Sequence, residues 1–304
     1  MSKSNLAQSL EADGYVVVKS VLTPDEVQRL RRAAGQLTDI ARANGWPFIR
    51  TWGKQFPPWP STPPPPEEGG IWGVQHLLHP DLPIPQEDRD AFVRLYFSPG
   101  ILDIAKQIIG SSIGGEVSDG DLVMELCNML VRPDKDFQLR WHRDDVPWDA
   151  TPEAELSRLQ QAIYHTQWNL PLFSDDSLVV VRGSHKRACT EQERSATPYE
   201  PTVSDDQITV HLEPGDIAFY NNNILHRGVY SSTKERMTLH GSVGHSKGSN
   251  DRARNVLQHG VGSWVDRCDF SNLAEESRNC AEGMRQRLVQ LGRENVDVGY
   301  SLSG

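Results

Sequence analysis

Leu139–Asp149 reads LRWHRDDVPWD. It sets a histidine and two aspartates among tryptophans, and charged groups beside bulky apolar ones are costly to bury unless something pairs with them. With two more residues upstream the stretch becomes FQLRWHRD, from Phe137 to Asp144. Read as a strand, its period of two separates Phe137, Leu139 and Trp141 from Gln138, Arg140, His142 and Asp144. The first set suits a buried outer layer. The second sets His142 and Asp144 side by side on the opposite face, where both can reach one metal ion. Taken alone, the pair fits a surface ion pair equally well.

Downstream sequence adds two pieces. In LEPGDIAFYNNNILHRGVY, a Pro-Gly-Asp turn precedes an apolar strand and then His226, 82 residues beyond Asp144. Two histidines and one carboxylate would form a facial triad with open positions suited to non-haem iron. A half-buried histidine bonded to backbone is the alternative for His226. Ten residues later comes RMTLHGSVGH, in which Arg236, Thr238 and His240 share one face and Met237 and Leu239 the other. An arginine on an inward face needs an anion, and its planar fork suits a carboxylate. That anion is either a bound ligand or one of the chain's 41 acidic residues.

Around this centre, residues 121–245 form short runs rich in β-branched and aromatic residues, separated by turn residues, as in a sandwich or jelly roll. Residues 1–45 read as helix, strand and helix, with Thr23 as N-cap and Pro24 at the first helical position. DAFVRLYFSPGILDIAKQIIG reads as one or two helices. NLAEESRNCAEGMRQRLVQLG reads as a further helix followed by a polar tail. The prolines and glycines of FPPWPSTPPPPEEGG argue against a regular element there. Trp52, Trp59 and Trp72 suggest a loop folded over something. The expectation is one domain over 1–304. It comprises a helical brace (1–120) with a Pro/Trp-rich lid at about 46–80, a β core (121–245) and a C-terminal extension (246–304).

Composition narrows the function. The chain has 304 residues, 37% hydrophobic and 24% charged, with a net charge of -10. These values describe a globular protein and argue against general binding to nucleic acid or an anionic membrane. No apolar run is long enough to span a bilayer. The N-terminus lacks the apolar core of a secretory signal, and SLSG at the end is not a peroxisomal address. Four cysteines without CxxC spacing read as reduced thiols. The expected location is the cytoplasm, and the C-terminal helix serves either a homodimer or closure of the barrel.

The HxD pair, the distal histidine after a PGD turn and the arginine ten residues on resemble the phytanoyl-CoA dioxygenase family. LEADGYVVVKSVLTPDEVQRL resembles that family's N-terminal strand and helix, and SLVVVRGSHK its segment ending in PGSH. Arg182 stands where the family usually has proline, and Asp175-Asp176 where an Asn-Gly turn is common. The resemblance implies a mainly β fold, a double-stranded β-helix (jelly roll, cupin-like) braced by N- and C-terminal helices. It implies Fe(II) on His142, Asp144 and His226, 2-oxoglutarate held by Arg236 and Thr238, and dioxygen as oxidant. The outcome would be hydroxylation, or desaturation, epoxidation or cyclisation, of a small-molecule substrate. Related halogenases replace the carboxylate with a small residue, so Asp144 argues against halogenation. An acidic chain with a Trp- and Pro-rich lid points to a secondary metabolite. The alternatives are an acyl-CoA 2-hydroxylase of the phytanoyl-CoA type and a non-oxidative, metal-dependent cupin-like isomerase or hydrolase. Thr166 and Trp168 lie on a strand that could line the cosubstrate pocket or serve in ordinary packing. Asp145 is a candidate substrate contact, and so is His76, reaching over the iron from the lid. Asn221–Asn223 read as a turn before His226, and His185 as bonded to backbone at a strand end.

Overall fold

The structure, a computed structural model, describes residues 3–248 and 250–295. In chain order the strands are β1 (Tyr15–Val18), β2 (Ile49–Thr51), β3 (Ile71–Val74), β4 (Leu122–Val131), β5 (Phe137–Gln138), β6 (His165–Pro171), β7 (Asp175–Val181), β8 (Gln207–Leu212), β9 (Ile217–Tyr220), β10 (His226–Tyr230) and β11 (Met237–His245). The helices are α1 (Lys3–Asp13), α2 (Pro24–Arg42), α3 (Gln86–Tyr96), α4 (Pro99–Ile113), α5 (Pro152–Leu159), α6 (Glu191–Ser195), α7 (Asn250–Leu257) and α8 (Glu275–Glu294). Seven strands form one sheet in the order β1-β9-β6-β11-β4-β3-β2, and four form a second, β5-β10-β7-β8. All pairings are antiparallel. Side chains of both sheets meet between them, with Leu178, Val180 and Val210 from the smaller against Ala218 and Tyr220 from the larger. This is the jelly-roll arrangement the sequence led us to expect.

Helices cover the outer face of the larger sheet. Leu30 and Leu37 of α2, Ile101 and Ile108 of α4 and Met284 and Leu288 of α8 share one cluster with Met129, Trp168, Leu239 and Val243. Helix α2 starts as its sequence dictates, with Thr23 and Glu26 forming a reciprocal capping box and Pro24 in the first turn. Helix α8 buries its apolar residues in the chain's own core, and its Arg287 donates to the Leu122 carbonyl at 2.5 Å and the Asp119 carbonyl at 2.7 Å. Among the described residues no helix is long and apolar enough to cross a membrane. The polar tail, residues 296–304, lies outside the described residues.

The expectation of a helical brace with an irregular lid needs correction. Residues 46–80 carry β2 and β3, which extend the larger sheet beyond β4. No proline falls within either strand, so FIRTW and IWGV keep the N–H groups that pairing needs. Three short helices, α5, α6 and α7, were also not anticipated. Helix α5 begins at Thr151-Pro152, with the Thr151 hydroxyl accepting from the Ala154 N–H, the same start signal as in α2.

Candidate metal centre

The register between β5 and β10 decides where the first two ligands point. Phe137 pairs with Tyr230 and Gln138 with Val229, and the Leu139 N–H donates to the Gly228 carbonyl at 2.8 Å. Continued, this register would set Trp141 opposite His226. Instead His142 bridges His226, with N–H···O bonds of 3.0 Å in both directions. One extra residue is therefore taken up at Arg140–Trp141. Such a bulge reverses the alternation of faces. Phe137 and Leu139 pack between the sheets with Trp72, Leu130 and Tyr230. Trp141 packs with Val179, Val181, Val203 and Leu225, a cluster with no residue of the larger sheet. The expectation of one unbroken strand, with Phe137, Leu139 and Trp141 sharing an outer face, is thus not met. The bulge turns His142 inward behind them.

His142, Asp144 and His226 offer ligand atoms within 4.8 Å of one another, the one such cluster among the described residues. Asp144 Oδ1 lies 3.5 Å from His142 Nε2 and 3.7 Å from His226 Nε2. Each histidine Nδ1 is 2.8 Å from a carbonyl two residues back, that of Arg140 or Ile224. An Nδ1–H donated to those carbonyls leaves each Nε2 lone pair free at the shared vertex. Gln167 Nε2 donates to the other Asp144 oxygen, Oδ2, at 3.1 Å. Burial, with His226 alongside, lowers His142 to about 4, and burial lowers His226 to about 4. Asp144, whose side chain stays 26% exposed, is raised to about 6 by the desolvating walls around it and by Asp145. Two neutral imidazoles and a carboxylate, each oriented by a second hydrogen bond, fit a divalent iron ion.

The two ligand-bearing segments are tied together by residues next to the ligands. Asp144 N–H donates to the Asn222 carbonyl at 2.9 Å, and Asp145 N–H to Asn223 Oδ1 at 3.1 Å. Asp145 Oδ2 accepts from Asn222 Nδ2 at 2.5 Å and Arg158 at 2.8 Å. Asp145 therefore clamps the Asn221–Asn223 turn, a use of its carboxylate that the substrate-contact expectation did not foresee. Arg143 is buried below, donating to Glu155 at 2.7 Å, to the Ser184 carbonyl at 2.9 Å, and to the carbonyls of Asn223 and Arg187.

Arg236 and Thr238 face the interior, as period two required, but an internal acid meets them. Arg236 Nε donates to Asp175 Oδ2 at 3.0 Å, and the Thr238 hydroxyl donates to the same oxygen. Arg236 lies over the Tyr230 ring, 4.4 Å from its centroid, and its Nη1 is buried without a partner. The family model for phytanoyl-CoA dioxygenase (PhyH) matches residues 10–238. This chain belongs to the phytanoyl-CoA dioxygenase family.

Solved structures agree on the fold. The non-heme alpha ketoglutarate dependent epimerase SnoN from nogalamycin biosynthesis is 19% identical, with a TM-score of 0.51 over 80% of this chain and 82% of that one. EctD from S. alaskensis with bound Fe is 17% identical, with a TM-score of 0.54 over 81% and 78%. AviO1 from Streptomyces viridochromogenes Tue57 is 17% identical, with a TM-score of 0.52 over 80% and 95%. No curated protein matches the sequence.

Three other expected site residues of this PhyH-family chain lie elsewhere. Gln167 reaches Asp144, and Asn169 Oδ1 is 2.8 Å from His240 Nδ1, so β6 turns these two residues inward. Thr166 and Trp168 then point to the opposite face, where Trp168 joins the helix-covered core. On β6 the inward side carries the polar residues, and the side covered by helices is apolar. His76 is no solvated loop residue and does not join the triad. It is 2% exposed, with Nδ1 accepting from the Trp264 indole at 3.1 Å and Nε2 donating to the His259 carbonyl at 2.7 Å. His185 Nε2 meets the Glu11 carbonyl at 3.2 Å, a backbone bond as expected. Sequence reasoning missed Arg50, on β2, for which no local pattern exists.

Proposed function

We propose that this protein is an Fe(II)- and 2-oxoglutarate-dependent dioxygenase that oxidises a small organic molecule, a secondary metabolite. The observation that carries this reading is the shared vertex of His142 Nε2, Asp144 Oδ1 and His226 Nε2 in a PhyH-family chain. Iron bound there with 2-oxoglutarate and dioxygen would supply oxidation of a C–H bond coupled to decarboxylation of the keto acid to succinate.

The chain's own residues divide the remaining work. His142, Asp144 and His226 would hold the metal from one side and leave its other positions to ligands. The Arg140 and Ile224 carbonyls fix the imidazole tautomers, and Gln167 fixes the carboxylate. Arg236 would offer Nη1 to one cosubstrate carboxylate oxygen. Phe137, Leu139, Trp72 and Tyr230 pack into an apolar cluster beside the strand that leads to His142. All four cysteines are free, in keeping with a cytoplasmic enzyme. The epimerase SnoN and EctD, the latter also solved with 2-oxoglutarate and 5-hydroxyectoine, support a small-molecule substrate by analogy of fold.

Anaerobic addition of Fe(II) and 2-oxoglutarate to the purified protein tests the reading. A weak visible charge-transfer band is expected, followed by succinate release on admitting oxygen. Neither band nor succinate would overturn it.

A further inference from the structure

Arg50 is a buried cation without a counter-ion. It is 8% exposed, and among the described residues its guanidinium makes no hydrogen bond and no ion pair. Its Nε is buried and unsatisfied. The Trp72 ring lies 5.4 Å from the guanidinium carbon, and Tyr230, Tyr220 and Asp144 are near enough to act on it electrostatically. The other buried arginines around the barrel have carboxylates: Arg236 has Asp175, Arg143 has Glu155 and Arg252 has Glu125. Burial lowers Arg50 to about 10, still a cation at neutral pH.

The fold directs this side chain inward. Arg50 pairs with Gly73, Gly73 with Leu130, and Leu130 with Thr238. These residues share one row of the larger sheet, so Arg50 faces the same side as Thr238, three strands or about 14 Å away. Its stem lies across Gly73, where a Cβ would come within 3.1 Å of Arg50 Cβ and 3.2 Å of Arg50 Cδ. An alanine there would press on the stem, which would have to give by a few tenths of an ångström.

The neighbours of Arg50 are short of partners too. Both side-chain polar atoms of Gln75 are buried and unsatisfied, as are Trp72 Nε1, Asn128 Nδ2 and His259 Nδ1. Gln75 Nε2 lies 3.2 Å from where the Gly73 Cβ would be. The Asn128 side-chain oxygen, Oδ1, accepts from the His76 N–H at 2.9 Å, and His76 bonds the His259 carbonyl. These contacts link the residues into one patch. Buried polar groups are nearly always paired, and each unpaired one costs about 1–3 kcal/mol. So many around one free guanidinium call for a polar anion as the missing partner.

We propose that Arg50 binds a carboxylate inside the barrel, with Gln75, Asn128 and His259 lining its seat. The carboxylate is either the distal one of the 2-oxoacid cosubstrate or an acid group on the substrate. The proposal deepens the oxygenase reading and rests on it only for the metal-loaded arm below.

The variants are Arg50→Met, which keeps the stem and removes the charge, and Gly73→Ala, which keeps the charge and displaces its stem. In the first arm, calorimetry on Mn(II)-loaded protein compares 2-oxoglutarate with 2-oxopentanoate, which lacks the distal carboxylate. If Arg50 holds that carboxylate, wild-type preference for 2-oxoglutarate falls at least tenfold in both variants. In the second arm, hexanoate and hexanamide are titrated into the metal-free protein. If the acid belongs to the substrate, hexanoate binds wild type, hexanamide binds at least tenfold more weakly, and both variants lose the difference. Either pattern supports the proposal. Thermal unfolding without ligand separates binding from scaffolding: Arg50→Met is expected to melt no lower than wild type, because it removes an uncompensated charge. Unchanged discrimination in both arms, or a lower melting temperature of Arg50→Met with intact discrimination, would overturn it. A wild type that binds neither keto acid but discriminates hexanoate from hexanamide through Arg50 would refute the oxygenase reading and keep this one.

Discussion

Asp175 and Arg236 lie 61 residues apart in the chain and meet at 3.0 Å, Oδ2 to Nε, both nearly excluded from solvent. The cation expected to serve a ligand thus already has an internal partner, and the acid is one the sequence marks as unusual, in place of a common asparagine. Burial alone would raise the Asp175 carboxyl. The Arg236 guanidinium and hydrogen bonds from Ser177 and Thr238 outweigh that effect and hold it at about 2 rather than 3.8.

Asp175→Asn should therefore act in two directions. Removing a negative charge beside Arg236 and Thr238 should tighten 2-oxoglutarate binding about threefold to tenfold, the effect of roughly 1 kcal/mol. It should also lower the stability of the ligand-free protein by about 3 kcal/mol, since Arg236 loses its counter-ion. The stability difference has a definite pH window. A depressed carboxyl stabilises the fold fully above its unfolded value near 4, and that contribution fades as pH falls towards 2. Calorimetry and urea unfolding at several pH values check both; weaker cosubstrate binding would contradict the first.

His226→Ala removes one of three ligand atoms. Fe(II) affinity is expected to fall by more than about 100-fold, with far-UV circular dichroism unchanged. Competition with a coloured chelator measures it. Affinity equal to wild type would remove His226 from the metal set.

Arg143→Met tests the support beneath the ligands. Arg143 joins Glu155 to the carbonyls of Ser184, Arg187 and Asn223, and the last lies three residues before His226. A loss of about 3–5 kcal/mol in urea unfolding is expected, as for one partner removed from a buried ion pair. A loss below about 1 kcal/mol would mean that Arg194, which also pairs with Glu155, suffices.

His76 gives a pH signature in a different range. Burial, working against the bond to the His259 carbonyl, lowers it from 6.5 to about 3. The unfolded chain takes up a proton below pH 6.5 while the folded one does not, so this contribution to stability is full above 6.5 and shrinks as pH falls towards 3. His142, His185, His226 and His240 act in the same sense. His76→Gln should reduce the slope of stability against pH between 6 and 4 by about 1.4 kcal/mol per unit, one proton's worth. An unchanged slope would show that His76 titrates normally.

The chemistry of the ligands was legible because it is local. HxD, a histidine after a Pro-Gly-Asp turn and an arginine ten residues on are chain-neighbour patterns, and the strand period assigns Arg236, Thr238 and His240 to one face without any tertiary knowledge. The same rule failed at Trp141, where a bulge reverses the phase, and at β6, where either phase was admissible. Helices on the outer surface decided that Trp168 packs outside and Gln167 reaches Asp144.

Sequence alone thus determined the alternation within unbroken strands, though not its phase, and the kinds of side chain available to a metal, because backbone geometry and residue chemistry are properties of adjacent residues. Tertiary structure alone decided that Asp175 meets Arg236, that Asp145 clamps Asn222, and that Arg50 crosses Gly73 to stand unpaired in the barrel. Those outcomes depend on which distant segments share a low-dielectric space, where one carboxylate more or less determines whether a guanidinium is satisfied or left to bind a ligand.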